Sequence, residues 1–484
     1  MPDQPTDVQL EPIPQPPSKP IVGNLFDVDA GTAMEDMNRL ARSYGPIFKL
    51  ALVNRETVFV SGFQLTDEVC DEERFEKRVG AGLQQARSFA GDGLFTADTQ
   101  DPNWRRAHNI LMPALSQQAM RDYLPLMVDL ATQLVKKWQR LNPAETIDVS
   151  ADTARLSFDT VGLCGFGYRF NSFYRETPHP FVEAMTRCLS EAMRRTSRLP
   201  VQEKLSFHGS VQYDRDIASM NQLVDHVIEE RRAHPERESG RVDLLARMLI
   251  GVDPESGESL DDRNIRYQII TFLIAADEPS SALLSFSLYL LLHHPSVLAR
   301  AYAEVDNVLG SDLSIPPTYD QVHQLPYVRQ ILKEALRLYP PTPVFSRQPL
   351  HDDAVIGGKY RVTRHQGARV LSPSLHRDPA VWGEDADAFN PDRFSPDAEQ
   401  ARPANAYKPF GTGQRACIGQ HFALQEATLA LAMILQRFEL IDHASYVLRI
   451  RETLTQTPEG FTMQVRARRR AGAATQDPST GEKA

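Results

Sequence analysis

Ten residues near the C-terminal end, Phe410-Gly411-Thr412-Gly413-Gln414-Arg415-Ala416-Cys417-Ile418-Gly419, constrain this chain more than its composition does. They stand directly ahead of a helical apolar pattern. A lone cysteine in a long chain is ordinarily inert core filling. Here Gly413 and Gly419 permit a tight turn and a close approach of backbone to a ligand. Arg415 places a fixed cation two residues from the sulfur. The helix that follows directs its N-terminal amides back at the sulfur, which favours thiolate over thiol.

A thiolate presented in this way is a good axial ligand for haem iron. The pattern F-x-x-G-x-R-x-C-x-G, from Phe410 to Gly419, resembles the haem-ligand signature of the cytochrome P450 family. The resemblance implies haem b (iron protoporphyrin IX) as cofactor, Cys417 as the iron ligand, and Phe410, Arg415 and Gly419 among the residues around it. It also implies a mainly α fold of one large unit. That unit has a helix-rich part, a smaller β-rich part, and haem between a long central helix and the cysteine loop.

Other segments extend the resemblance. Glu334-Ala335-Leu336-Arg337 lies in a helical pattern from Tyr327 to Leu338 that stops before Pro340-Pro341. A spacing of three puts Glu334 and Arg337 on one face. With Pro391-Asp392-Arg393-Phe394 it resembles the family's E-x-x-R helix and its P-x-R-F segment. Glu334, Arg337 and Arg393 are therefore expected to form a buried structural charge network. Trp104-Arg105-Arg106-Ala107-His108 puts an indole N–H and an imidazole on one helix face, where both can donate to haem propionates. With Lys77 and Arg415 they resemble the propionate contacts of bacterial fatty-acid hydroxylases fused to a diflavin reductase. Phe89-Ala90-Gly91-Asp92-Gly93-Leu94-Phe95 and Leu375-His376-Arg377-Asp378 match the same subgroup. By that resemblance Phe95 overhangs the haem, and Leu83, Ala86, Ala275, Ala276 and Val344 line the substrate pocket. Arg55 matches a channel-mouth arginine that holds a fatty-acid carboxylate. Its partner tyrosine is Phe59 here, and the other reading of Arg55 is a solvated surface residue.

One departure bears on the chemistry. Relatives usually read A-G-x-E/D-T-T-S in the central helix, whereas this chain reads Ala275-Ala276-Asp277-Glu278-Pro279-Ser280-Ser281. Glu278 keeps the relay acid. Pro279 replaces the threonine whose hydroxyl helps deliver protons during dioxygen activation. Ser280 or an ordered water is the candidate substitute.

Length alone, 484 residues, suggests two or three domains, but the resemblance implies one. The predicted division is a proline-rich extended lead at 1–20, the haem domain at 21–465, and a basic then disordered tail at 466–484. Strands are predicted at Ile47–Leu50 and Val58–Val60, divided by a turn at Asn54-Arg55. Residues 104–232 read as mainly helical and 234–240 as a loop. The long apolar segment Ile265–Leu292 is interrupted by charge and proline. Residues 343–370 read as strand-rich with a turn at Gly357-Gly358, and 373–405 as irregular. A helix follows Cys417 to about Phe438, and further strands lie near 446–451 and 461–465.

The net charge of -10 argues against nucleic acid as a partner. Four cysteines, Cys70, Cys164, Cys188 and Cys417, without metal-type spacing fit a reducing compartment. No membrane anchor is read at the N-terminus, and the expected location is the cytoplasm. The leading function is a monooxygenase acting on a small or medium organic substrate, a fatty acid or natural-product intermediate. Its electrons come from a diflavin reductase or a ferredoxin, in trans or in a missing C-terminal part. A second reading is chemistry without the threonine: peroxide-driven, substrate-assisted, coupling or rearrangement. A third, of another class, is a haem-based sensor or carrier.

Overall fold

The computed structural model describes residues 9–468, apart from 21, 30, 53–54, 143, 197–206 and 235–242. Asn54 of the predicted turn, most of the predicted loop 234–240 and most of the predicted tail lie outside the described residues.

The helical part is organised on one element. Asp262–His293 is a single helix that runs through Pro279. Its first turn is capped by Asp261, whose carboxylate accepts from the Asn264 N–H at 2.7 Å. It packs on Val149–Phe166, a helix buried over most of its length. Buried residues occur on several faces of both, which is the pattern of helices at the centre of a large core. By length and apolarity Asp262–His293 could cross a membrane, yet 72% of its most apolar stretch is buried inside the protein. The helix Gln420–Arg437 after the cysteine loop and the helix Pro326–Leu338 lie in the same core.

The strands among the described residues are β1 (Ile47–Leu52), β2 (Arg55–Val60), β3 (Phe75–Lys77), β4 (Ile147–Asp148), β5 (Val344–Pro349), β6 (Asp353–Ile356), β7 (Tyr360–Thr363), β8 (Ala368–Leu371), β9 (Phe438–Ile441), β10 (Ile450–Glu452), β11 (Gln456–Pro458) and β12 (Thr462–Ala467). The main sheet runs β1-β2-β8-β5-β3, parallel only between β2 and β8. The fold is thus mainly α with small sheets, as the resemblance implies. Gly357 and Gly358 form the β6–β7 turn with positive φ at both, where a side chain would be strained.

At both ends described residues continue the packed structure. Within the lead, the Lys49 N–H donates to Pro14 O at 2.9 Å and the Glu11 N–H to Lys359 O at 2.9 Å. Ile13 is buried in the cluster of Ile47, Val58 and Val370. The lead is therefore part of the packed domain from at least Glu11. At the other end Arg466 and Ala467 still pair with β9. Arg466 donates to Glu439 at 2.8 Å and Arg468 to Asp306 at 2.6 Å. Acidic partners on neighbouring elements hold Arg466 and Arg468 against the domain.

Candidate functional site

Cys70, Cys164 and Cys188 are buried, whereas the Cys417 thiol is accessible and opens onto a cavity of about 710 Å³. The loop that carries it is closed by the Cys417 N–H donating to Phe410 O at 2.8 Å. Gly413 has φ +65°, and a Cβ there would collide with the Glu72 carboxylate. That carboxylate accepts the Gln414 N–H at 2.9 Å. Gly413 thus serves a protein contact, not a ligand. Burial raises the Cys417 thiol above its usual range; the Gly419 N–H and Lys77 oppose this and favour thiolate. The predicted influence of Arg415 is corrected by its direction. Its guanidinium donates to Thr99 Oγ1 at 3.0 Å and Ala97 O at 2.9 Å, and stacks 4.6 Å from the Trp104 ring.

Lys77, Trp104, His108, Phe410, Arg415 and Gly419 all border the same cavity as Cys417. Lys77 is pushed down to about 7 by burial and by Arg415, the mark of a cation without a carboxylate beside it. The Trp104 indole N–H donates to no acceptor among the described residues, and its ring stacks on His108 at 5.1 Å. Two cations, an unused N–H and an imidazole grouped around an accessible thiol fit a haem with its two carboxylates. Lys77, Arg415, Trp104 and His108 could hold the carboxylates, and Cys417 the iron.

Across the cavity lies the middle of the central helix, Ala275 through Ser280. Glu278 is held from outside the helix: its Oε2 accepts from Thr453 Oγ1 at 3.1 Å and from Thr455 Oγ1. Both threonines lie in the β10–β11 turn. Burial and the neighbouring Glu278 raise Asp277 to about 7, with Arg451 opposing. Pro279 brings no N–H, so the Ala275 carbonyl four residues back lacks its helical donor. Ser280 is buried at the cavity wall.

Of the residues predicted for the substrate pocket, Leu83, Phe95, Ala275, Ala276 and Val344 line this cavity. Ala86 and Arg55 do not. Ala86 sits on the core-facing side of the helix Ala81–Ala90, and Arg55 is exposed at the start of β2.

Behind the cysteine loop, Glu334 and Arg337 are both fully buried and pair in a bidentate contact at 2.7 Å. Arg337 also donates to His376 O at 2.8 Å, Ala386 O at 2.5 Å and Ala388 O at 3.0 Å. Arg393 approaches Glu334 at 3.8 Å. His376 joins this network to the loop: its Nδ1 lies 3.2 Å from Arg337 O, and its Nε2 accepts the Lys408 N–H at 2.9 Å. Burial and Arg337 push its pKa down to about 3, so it is neutral, with the proton on Nδ1. The sequence gives no local sign of this linking role, nor of the two threonines on Glu278.

A family model described as Cytochrome P450 matches residues 13–465. The chain is 53% identical over 460 residues to a bifunctional cytochrome P450/NADPH–P450 reductase of Bacillus subtilis (strain 168), covering 95% of this chain and 43% of that protein. It is 51% identical over 458 residues to a bifunctional cytochrome P450/NADPH–P450 reductase of Bacillus cereus, covering 94% and 42%. It is 41% identical over 450 residues to a self-sufficient cytochrome P450 monooxygenase of Phanerodontia chrysosporium, covering 93% and 42%. The chain spans less than half the length of each of these relatives.

Proposed function

This chain belongs to the cytochrome P450 family, and from that membership we propose that it is a haem-thiolate monooxygenase fed by a reductase. The observation that carries the reading is the accessible Cys417 thiol, which shares one cavity with Lys77, Trp104, His108 and Arg415. Held there, haem supplies a thiolate-ligated iron for inserting one oxygen atom of dioxygen into an organic substrate. The proposed electron source is an NADPH–P450 reductase, on the same polypeptide or in trans, since the relatives' names join the two activities.

The chain's own residues have separable parts in this. Lys77 and Arg415 neutralise the haem carboxylates, and Trp104 and His108 orient them. Leu83, Phe95, Ala275, Ala276 and Val344 exclude water and shape the space for an apolar substrate. Glu278, fixed by Thr453 and Thr455, and Asp277, which holds its proton up to about pH 7, are the acids beside that space. Pro279 supplies no hydroxyl. Protons therefore have to move from these carboxyls through Ser280 or water. We place the protein in the cytoplasm, where its free thiols stay reduced.

The test is turnover with a diflavin reductase and NADPH across a set of fatty acids and small aromatic compounds. Oxygenated product that requires both dioxygen and NADPH supports the reading. NADPH consumption without product from any compound tells against it.

Two variants refine it. Phe95→Ala is expected to retain haem while changing ligand-induced spectra and the position of oxygenation. Unchanged spectra and products would remove Phe95 from the substrate's path. Pro279→Thr is expected to raise product formed per NADPH with generic substrates. The gain in turnover should approach the roughly 10²-fold lower end expected of a positioned proton donor. Equal coupling in both forms would mean that Asp277, Glu278 and water suffice.

A further inference from the structure

Two arginines, Arg369 and Arg78, stand at the sheet side of the cavity, and a third, Arg55, lies outside it on the same sheet. Arg369 on β8 lies opposite Phe59 on β2 and Ser346 on β5. Its guanidinium carbon stands 5.9 Å from the Phe59 ring centroid. Arg78, just past β3, has its N–H on Ser346 O at 3.0 Å, which brings it beside the same register position. Arg55 begins β2. Arg369 and Arg78 both face the cavity. Burial, then Arg78 and Arg55, depress the Arg369 guanidinium; burial, then Arg55 and Arg364, depress that of Arg78.

None of the three has a carboxylate partner among the described residues. The nearby acids are engaged elsewhere. Glu56 accepts from Lys49 at 3.1 Å and Gln366 at 2.7 Å, and Glu76 from Gln348 and Gln100 at 3.0 Å each and from Arg364. Arg78 uses one N–H on Arg364 O at 3.0 Å. Arg369 makes no side-chain hydrogen bond among the described residues. Arg369 and Arg78 are half-buried; a guanidinium carries five N–H donors, and a cation partly withdrawn from water without a counter-ion bears part of the desolvation cost. Arg347, on the same sheet and fully buried, is partnered by contrast: it donates to Val69 O at 3.2 Å and Phe75 O at 2.6 Å. The donors that Arg369 and Arg78 leave without a partner among the described residues thus stand at the cavity wall. The adjoining wall is apolar, formed by Met34, Met37, Phe59 and Val344.

We propose that this end of the cavity holds a head group with two negative charges, a phosphate monoester or a dicarboxylate, between Arg369 and Arg78 with Arg55 at its outer side. The substrate is then a dianionic amphiphile whose apolar tail extends along the cavity toward Cys417. A single carboxylate, the head expected from Arg55 alone, would leave most of the cationic charge unmatched. That the tail reaches the oxidising centre rests on the proposed function; the head site does not.

The experiment is calorimetric titration of the haem-loaded protein at pH 8 and low salt, with the Soret band followed in parallel. The probes are dodecyl phosphate, dodecylmalonate, dodecanoate and dodecanol, each below micelle formation. Both dianions are expected to bind at least tenfold tighter than dodecanoate, and dodecanoate tighter than dodecanol. The tighter of the two dianions identifies the head. Arg369→Gln should bring the dianions to the level of dodecanoate, a loss of roughly tenfold to hundredfold, with dodecanol and the melting temperature unchanged. Arg369→Lys should restore part of the preference, and Arg78→Gln should repeat the loss. Equal affinity for dodecanoate and both dianions in the unmodified protein overturns the proposal, as does an Arg369→Gln loss that falls equally on dodecanol. Dianion binding without a Soret shift supports the head site and counts against the reading of the cavity as a haem substrate channel.

Discussion

Cys417→Ala is expected to abolish the thiolate-type band of the reduced carbon monoxide complex and all reductase-driven product formation. The single alanine variants of Cys70, Cys164 and Cys188 should retain both. The asymmetry follows from where the thiols point. Burial raises Cys164 and Cys188, the latter to about 12, and Cys70 is raised by burial as well. None of these three opens onto the cavity, whereas Cys417 does. Its sulfur has the Gly419 N–H and the Lys77 ammonium on the side of the thiolate. Alanine at 417 removes the sulfur and leaves the loop closed by its own backbone bond to Phe410. Melting temperature should therefore fall little in the haem-free protein. A thiolate band that survives Cys417→Ala would overturn the assignment of the iron ligand.

Arg337→Ala is expected to destabilise the protein by about 3–5 kcal/mol, a large share of a stability of roughly 5–15 kcal/mol. Glu334 would stay fully buried, with the Asn390 N–H on its Oε1 at 2.9 Å and Arg393 at 3.8 Å as its remaining partners. The carbonyls of His376, Ala386 and Ala388 would lose their donor at the same time. His376 ties this network to the Lys408 N–H. The variant should therefore also lose haem at lower urea concentration than the parent, before helical signal is lost. Urea unfolding followed by both signals tests this. A loss under about 1 kcal/mol would mean that water takes over the charges and that the network is not structural.

What could be read from the sequence divides along a physical line. The cysteine loop was legible because its chemistry is concentrated in ten consecutive residues. The pairing of Glu334 with Arg337 was legible because three-residue spacing on a helix fixes their proximity. The central helix was legible by length alone, since no strand is that long. What escaped depends on elements distant in sequence. Thr453 and Thr455 reach Glu278 across 175 and 177 residues, and nothing in the local sequence of either partner marks the meeting. The direction of Arg415, away from the sulfur and onto Trp104, is set by carbonyls of the segment 94–97. The docking of residues 11–14 depends on β1 and on Lys359, next to β7. The presence of Arg369 on the cavity wall needs the β2–β8 register, which periodicity within one strand does not give.

That same register sets the order of events at the ribosome. Val58 pairs with Ala368, and Glu56 with Gln366, 310 residues on. At about 5–20 residues per second, synthesis delivers the second partner roughly 15–60 s after the first. During this interval the β1–β2 hairpin has an open edge at β2. The opposite edge, at β1, is met in the fold by the proline-rich lead, which precedes β1 in the chain and whose Pro14 O accepts the Lys49 N–H. Prolines carry no N–H, so the lead closes that edge without offering a row of donors to another chain. A lead rich in proline is thus suited to shield the β1 edge while the partner of β2 is still to be made.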